Sequence, residues 1–404
     1  MPRLSSRRLA GLSLLFNLPG VLLRLQQFSY DAYSHIFLAD HYRRTWWSLW
    51  ETRWYLGFSM VSYPPLVHQL IALLSWPFAG LIRAYSARPE AYPGAFVWEG
   101  EEAAYLAVLL AALVLLPFAV RGLARLFTGP RTADVAALLA IFLPGLTMTA
   151  WVFGQLPTLL ATGVILLALE RGAAYARSGR GLALAQAVLL AATAAALHHG
   201  VFLFVPFIGA AIAWRVLAGR PRGARRAVLA RLIVWAGLSG AAVAAVLWPF
   251  LLWTRGQAMQ APIDHGSRHN LLADGMAAMF FFWSMYGPLL LALPWALAAG
   301  WRARRRWLPL LAAVVILFVL GLGGTTPVPQ WLFGSGWAWL TYDRFSFWAG
   351  LCLLPFAAAA GIRLWRRPHS NHRLVIGLFA ILVVCAIVPA VGAAQGRTQP
   401  QVVD

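Results

Sequence analysis

Lysine is absent from this 404-residue chain, acidic side chains number only 13, and there are two cysteines. All 33 basic residues are arginine, a bias that reflects genome composition rather than mechanism. Cys352 and Cys385 both lie inside apolar runs, which excludes a disulfide framework and gives no support to a thiolate metal site. Charged residues make up 11% of the chain, where a soluble domain needs roughly 25% to cover its surface. With 61% hydrophobic residues and a mean hydropathy of +0.69, the chain belongs to the membrane class. A net charge of +20 would point to nucleic acid in a soluble protein. Here most arginines fall in short loops between apolar runs, so that reading fails.

The fold class expected is an all-α polytopic membrane protein. A hydrocarbon core of about 30 Å takes around 20 residues of helix. Runs of that kind occur near 9–28, 103–120, 133–150, 156–171, 182–197, 201–216, 231–253, 275–299, 307–323, 345–362 and 374–392, which makes about 11 crossings. Arg3, Arg7 and Arg8 precede an apolar stretch ending at Leu23, no small-residue cleavage pattern follows, and Arg24 interrupts the exit. This start reads as an uncleaved first membrane helix rather than a signal peptide. Residues 66–84 read as a re-entrant or surface-lying helix; as a true crossing they would make 12. The chain is expected to be one domain over 1–394, with a large first outer loop at 29–102 containing amphipathic helices and a short polar tail at 395–404.

Arginine placement sets the orientation, because basic loops stay cytoplasmic. Alternate loops from the N-terminus to Arg373 hold 23 of the 33 arginines on one face. Of the acids, only Asp134 and Glu170 share that face; the other 11 lie opposite, with seven of the nine histidines. Acidic residues have little influence on insertion, so their segregation points to a reactive face outside the cytoplasmic membrane.

Five outer segments carry the polar residues. Asp31 and His35 are four apart and share one face of a helix. Asp31 stands at the mouth of the first crossing, where ionisable groups are costly and tend to be functional; the alternative is a helix cap. Trp46, Trp47, Trp50 and Trp54, interleaved with Arg43, Arg44 and Arg53, suit an amphipathic helix in the headgroup layer. Tyr63-Pro64-Pro65-Leu66 is a stiff extended turn that launches the next helix. Gln155, in Gly154-Gln155-Leu156-Pro157, is placed to bond a sugar hydroxyl or is part of a plain turn. His198 and His199 form a hairpin tip, as phosphate-bonding or merely interfacial residues, and a lone pair is a poor metal signal. Residues 264–270 hold Asp264, His265, Ser267, Arg268 and His269; Arg268 suits bidentate phosphate binding, and a solvated loop is the alternative. Asp343-Arg344-Phe345 opens a membrane helix, where an unpaired arginine is expensive. Arg344 must meet an acid or an anionic ligand.

A first helix, an outer loop opening with Asp31, then Tyr63-Pro64-Pro65-Leu66 leading to another helix resembles the GT-C superfamily of membrane glycosyltransferases. The proline motif is similar to that of the dolichyl-phosphate-glucose branch. The Gly154-Gln155-Leu156-Pro157 turn and the arrangement of residues 324–327 (GTTP) and 341–345 (TYDRF) resemble a branch described as a 6-pyruvoyl-tetrahydropterin-synthase-related membrane domain. No residue supports pterin chemistry. The resemblance implies a polyprenyl-phosphate-linked sugar as donor and Asp31 as the residue that activates the acceptor, with His35 beside it. Arg344, Arg268 and His265 would then meet the donor phosphate, and Asp343, Gln155, Tyr63, His198 and His199 the substrates. The paired-acid motif of the superfamily is missing, since Ala32 and Tyr33 follow Asp31 and the next acid is Asp40. A single carboxylate base is therefore favoured over a divalent metal, which stays the alternative, and no further cofactor is indicated. The rival function is a transporter or flippase for a lipid-linked or polar solute; inverted repeats and midplane charges, its usual signs, are not evident. Single-cysteine labelling in intact cells is expected to find positions 31 and 344 on one side of the membrane and 304 on the other; opposite sides for 31 and 344 would end this reading.

Overall fold

The computed structural model describes residues 4–54, 57–85, 99–256, 264–366 and 370–395. All but the first residue of the expected tail at 395–404 lies outside the described residues.

The first half comprises α1 (Ser6–Leu22), α2 (Ala32–Arg44), the strand pair β1 (Trp50–Glu51) and β2 (Phe58–Ser59), α3 (Leu66–Tyr85), α4 (Glu99–Phe127) and α5 (Pro130–Ile141). Next come α6 (Pro144–Thr147), continued by a π-turn at Met148–Val152, then α7 (Leu156–Ser178), α8 (Gly181–Leu197) and α9 (Val205–Ala218). The second half has α10 (Arg222–Gly256), α11 (Gly275–Met285), α12 (Ala292–Arg302), α13 (Arg304–Gly321), α14 (Val328–Phe333), α15 (Asp343–Trp365) and α16 (Ser370–Ala394). By length and composition five of these helices can cross a membrane: α4, α7, α10, α15 and α16. The count rises to seven if two bent pairs are each one span. Pro144 breaks the first pair, bent by 46°; Gly287, with φ of 54°, and Pro288 break the second, bent by 88°. Gly181–Leu197, Val205–Ala218 and Arg306–Gly321 are shorter apolar helices, as is Leu66–Ala79, while the run at 9–28 falls on the 17-residue α1. Eleven crossings therefore stay an expectation of the sequence.

Helices α7 and α15 form the centre: 72% of each apolar window is buried, against 11% for α10 and 22% for α16, which face outward. Hydrocarbon gives helices little hydrophobic reason to associate, so small residues and interhelical hydrogen bonds join them. The Trp348 indole N–H donates to Thr162 Oγ at 3.0 Å, tying α15 to α7, and its ring stacks on Phe204. Ser346 Oγ donates to the Gly321 carbonyl at 3.1 Å, and a Cβ on Gly321 would fall 2.7 Å from the Ser346 nitrogen. That glycine lets α13 and α15 touch along their backbones.

Two elements differ from expectation. The first helix stops at Leu22, because Arg24 takes a left-handed φ of 53° and a 3₁₀ turn at Leu25–Phe28 follows. The tryptophan-rich stretch is not an amphipathic helix: α2 ends at Arg44, and Trp46–Trp54 run through a turn into the antiparallel pair β1–β2. The reason is a knot of ion pairs that periodicity does not reveal. Arg53 binds Glu51 and Asp40, Arg44 also binds Asp40, and His41 meets Glu51 at 2.9 Å. Asp40 and Glu51 are fully buried there. Burial alone would raise both carboxyls, but the arginine hydrogen bonds outweigh it and hold Glu51 down to about 2. Trp47 and Trp50 are left exposed at the tip.

Gly321→Val is expected to force α13 off α15 and cost roughly 1–3 kcal/mol, read as a lower unfolding midpoint in detergent. Gly361→Ala, with open space around its Cβ, should leave the midpoint unchanged or raise it.

Candidate functional site

The segment before α2 is fixed by main-chain bonds to the turn that follows the π-turn. Tyr30 N–H donates to Val152 O at 3.0 Å and Asp31 N–H to Phe153 O at 3.1 Å. Gly154, with φ of 69°, makes this approach possible: a Cβ there would lie 2.7 Å from both Ala32 N and Ser29 Oγ. Asp31 occupies the N-cap position of α2 but makes no cap hydrogen bond; Ser29 Oγ accepts from Ala32 N–H instead, at 3.2 Å. The carboxylate is thereby left to face the site, and the helix-cap alternative for it falls away.

Gln155 joins the other half. Its amide N–H donates to Asp343 Oδ2 at 3.1 Å, and its oxygen accepts from Arg344 Nε at 3.4 Å. The residue is thus more than a plain turn. Asp343 is almost fully buried in the first turn of α15, and its Oδ1 has no partner among the described residues. No described carboxylate lies within salt-bridge distance of Arg344. The structural ion pair is therefore not what holds this arginine; a neutral amide does.

Arg344 is the electrostatic centre, for its charge acts on Asp31, His35, Tyr63, His198, His199 and His265 together. Burial pushes the Asp31 carboxyl up to about 6; Arg344 opposes the rise and Asp343 adds to it. Burial, with Arg344, drives His35 down to about 3 and His199 down to about 4. Burial and then Asp31 raise the Tyr63 phenol. The imidazoles are neutral at pH 7, so their tautomers matter. Gly200 N–H donates to His198 Nδ1 at 2.9 Å, and Ser267 N–H to His265 Nδ1 at 3.1 Å. With both Nδ1 atoms accepting, each proton sits on Nε2, making two neutral N–H donors. Burial lowers both of these groups.

The 264–270 loop is packed, not loosely solvated. Ser267 Oγ accepts from Tyr342 N–H at 3.0 Å, and Arg268 Nε donates to Leu340 O at 3.2 Å. Gly323 and Gly324 lie so close that a Cβ on either would strike the Ser267 or Arg268 carbonyl at 1.8 Å. Asp264 and His269 pair with each other at 3.1 Å on the exposed rim. Among the described residues no three His, Cys, Asp or Glu side chains gather as a metal site.

The structure brings Asp31, His35, Tyr63, Gln155, His198, His199, His265, Asp343 and Arg344 into one electrostatic neighbourhood, with Arg268 behind it. Sequence reading missed His68, whose Nε2 lies 3.1 Å from His35 Nδ1 in a fully buried pair. Its place two residues after Tyr63-Pro64-Pro65-Leu66 was the available signal. Beside the site, Tyr30, Phe153, Met148, Phe281, Met285 and Val388 line an apolar cavity of about 760 Å³. It lies where the π-turn, the 88° break and α16 meet.

No family model matches the chain, and no curated protein matches it by sequence. Among solved structures it is similar to ArnT from Cupriavidus metallidurans in the apo state, at 14% identity and a TM-score of 0.51, over 96% of this chain and 76% of that one. It also aligns with the oligosaccharyltransferase AglB from Archaeoglobus fulgidus in complex with an inhibitory peptide and a dolichol-phosphate, at 12% identity and a TM-score of 0.48. That alignment covers 92% of this chain, which spans about half (52%) of the archaeal one. The likeness to ArnT shows the fold alone: a helical membrane architecture of the kind that protein has.

Proposed function

We propose that this protein is a glycosyltransferase that moves a sugar from a polyprenyl-phosphate donor to an acceptor hydroxyl on the outer face of the cytoplasmic membrane. One observation carries the reading: a carboxyl raised to about 6 sits in the field of an arginine that has no carboxylate partner among the described residues, and Tyr30, the residue before that carboxyl, lines an apolar cavity. An arginine at a membrane boundary held only by a neutral amide is stable when an anion completes its coordination. A phosphate supplies that anion, and the adjoining cavity suits the hydrocarbon tail attached to it.

The donor phosphate lies between Arg344 and the Nε2–H groups of His198 and His265, with Arg268 behind. Neutral imidazole donors bind a phosphate without adding charge that would have to be desolvated. Asp31 takes the proton of the acceptor hydroxyl as its oxygen bonds to C1 of the sugar. The bond from C1 to the phosphate oxygen breaks, and its electron pair leaves with the phosphate. Arg344 and the imidazoles stabilise that developing charge, and no separate acid is needed for so good a leaving group. A single displacement inverts C1. His35, one helical turn after Asp31, orients that carboxylate; Gln155, Asp343, Tyr63 and His199 complete the sugar-binding wall. The motif resemblance through Asp31, Tyr63–Leu66, Gly154–Pro157 and Thr341–Phe345 supports the same assignment.

In membranes supplied with labelled polyprenyl-phosphate sugars, Asp31→Asn is expected to lower transfer by roughly 10²–10⁴-fold while the donor still binds. Undiminished release of polyprenyl phosphate by that variant would overturn the role. The wild-type rate should also follow Asp31 ionisation. Its raised pKa keeps the carboxyl protonated, and idle as a base, at acidic pH, so the rate should be full well above pH 6 and fall tenfold per unit below it. A flat profile between pH 5 and pH 8, both about one to two units from that pKa, would exclude Asp31 as the titrating base.

A further inference from the structure

A second cluster of charge lies at the end of the bundle away from Arg344. Helix α7 starts beside Gln155 and, at about 1.5 Å per residue, ends some 23 residues later on the opposite boundary. There Arg177 of α7, Arg215 of α9, Arg220 of the following loop and Arg306 of α13 converge. Arg220 Nη2 donates to the Arg177 carbonyl at 3.2 Å, Arg177 Nε to Ala173 O at 3.1 Å, and Arg306 Nε to Phe127 O at 2.6 Å. The charge of Arg177 is within reach of Arg220 and Arg215, and that of Arg306 within reach of Arg215. Glu170 is the one carboxylate acting on Arg177. Among the described residues none of the four guanidiniums makes a salt bridge. Arg215 Nε is buried and has no hydrogen-bond partner among the described residues.

Four like charges from separate elements repel one another, and main-chain carbonyls fix their positions without neutralising them. A multiply hydrogen-bonding anion resolves the conflict, and guanidinium is shaped for phosphate oxygens. The flank is apolar and outward-facing: Trp214 is 55% exposed, Leu229 48% and Ile233 63%, on α9 and the start of α10. Basic pockets at the cytoplasmic boundary beside lipid-facing helices are suited to anionic lipid headgroups. We infer that Arg177, Arg215, Arg220 and Arg306 form a binding site for the phosphate of an anionic phospholipid, whose acyl chains lie along the exposed face of α9 and α10.

Native mass spectrometry of the detergent-purified full chain tests this with phosphatidylglycerol, phosphatidylcholine and inorganic phosphate added separately. The wild type should retain phosphatidylglycerol in preference to phosphatidylcholine. Arg215→Gln/Arg306→Gln should retain about tenfold less, while Arg366→Gln, on the same boundary but outside the cluster, should match the wild type. Equal retention of both lipids, or undiminished phosphatidylglycerol on the double variant, would refute the site. Retention of inorganic phosphate that displaces the lipid would refute its lipid character. If the double variant does not fold, Arg220→Gln on the exposed loop serves in its place, with several-fold weaker retention expected and wild-type retention again refuting the site.

Discussion

The arrangement depends on one charge held at the edge of a membrane. Arg344 sits at the first turn of α15, one of the two most buried helices, where its guanidinium meets the amide of Gln155 rather than a carboxylate. A buried ion pair would have cancelled the charge. Bound to a neutral amide, the arginine projects its field over Asp31 and four histidines instead. That field depresses the imidazoles and partly offsets the effect of burial on Asp31. The chemistry ascribed to the site follows from this imbalance.

Holding such a constellation together requires loops to behave like rigid elements. They do so through backbone contacts that only glycine permits. Gly154 seats the chain before α2 against the turn into α7, and Gly323 and Gly324 seat the 264–270 loop against the last outer segment. Peptide groups meet directly in both places, so Asp31, Gln155, His265 and Arg344 are positioned by main chain. The same bonds set protonation: Gly200 and Ser267 N–H groups choose the tautomers of His198 and His265.

Two aspartates nine residues apart show how surroundings divide similar side chains between roles. Asp40 is fully buried but bound by Arg53 and Arg44, which stabilise its charge and make it part of the loop's scaffold. Asp31 is buried without such a clamp, so desolvation, with a smaller contribution from Asp343, disfavours its charged form. The first carboxylate holds the hairpin; the second is free to exchange a proton.

By itself the sequence determined the membrane class, most of the helical segments and the gathering of polar residues on one boundary. These follow from hydropathy and charge placement, which are local properties that the bilayer reads residue by residue. Asp31, Gln155 and Arg344 were legible because ionisable or amide groups at helix mouths are rare. Only the tertiary structure decided which alternative each residue took. Ser29 removes Asp31 from capping, Gln155 replaces an acid at Arg344, the Arg53 cluster turns a tryptophan-rich stretch into a hairpin, and His68 stands behind His35. Those outcomes rest on contacts between residues up to 189 positions apart, and no local pattern encodes a partner at that distance.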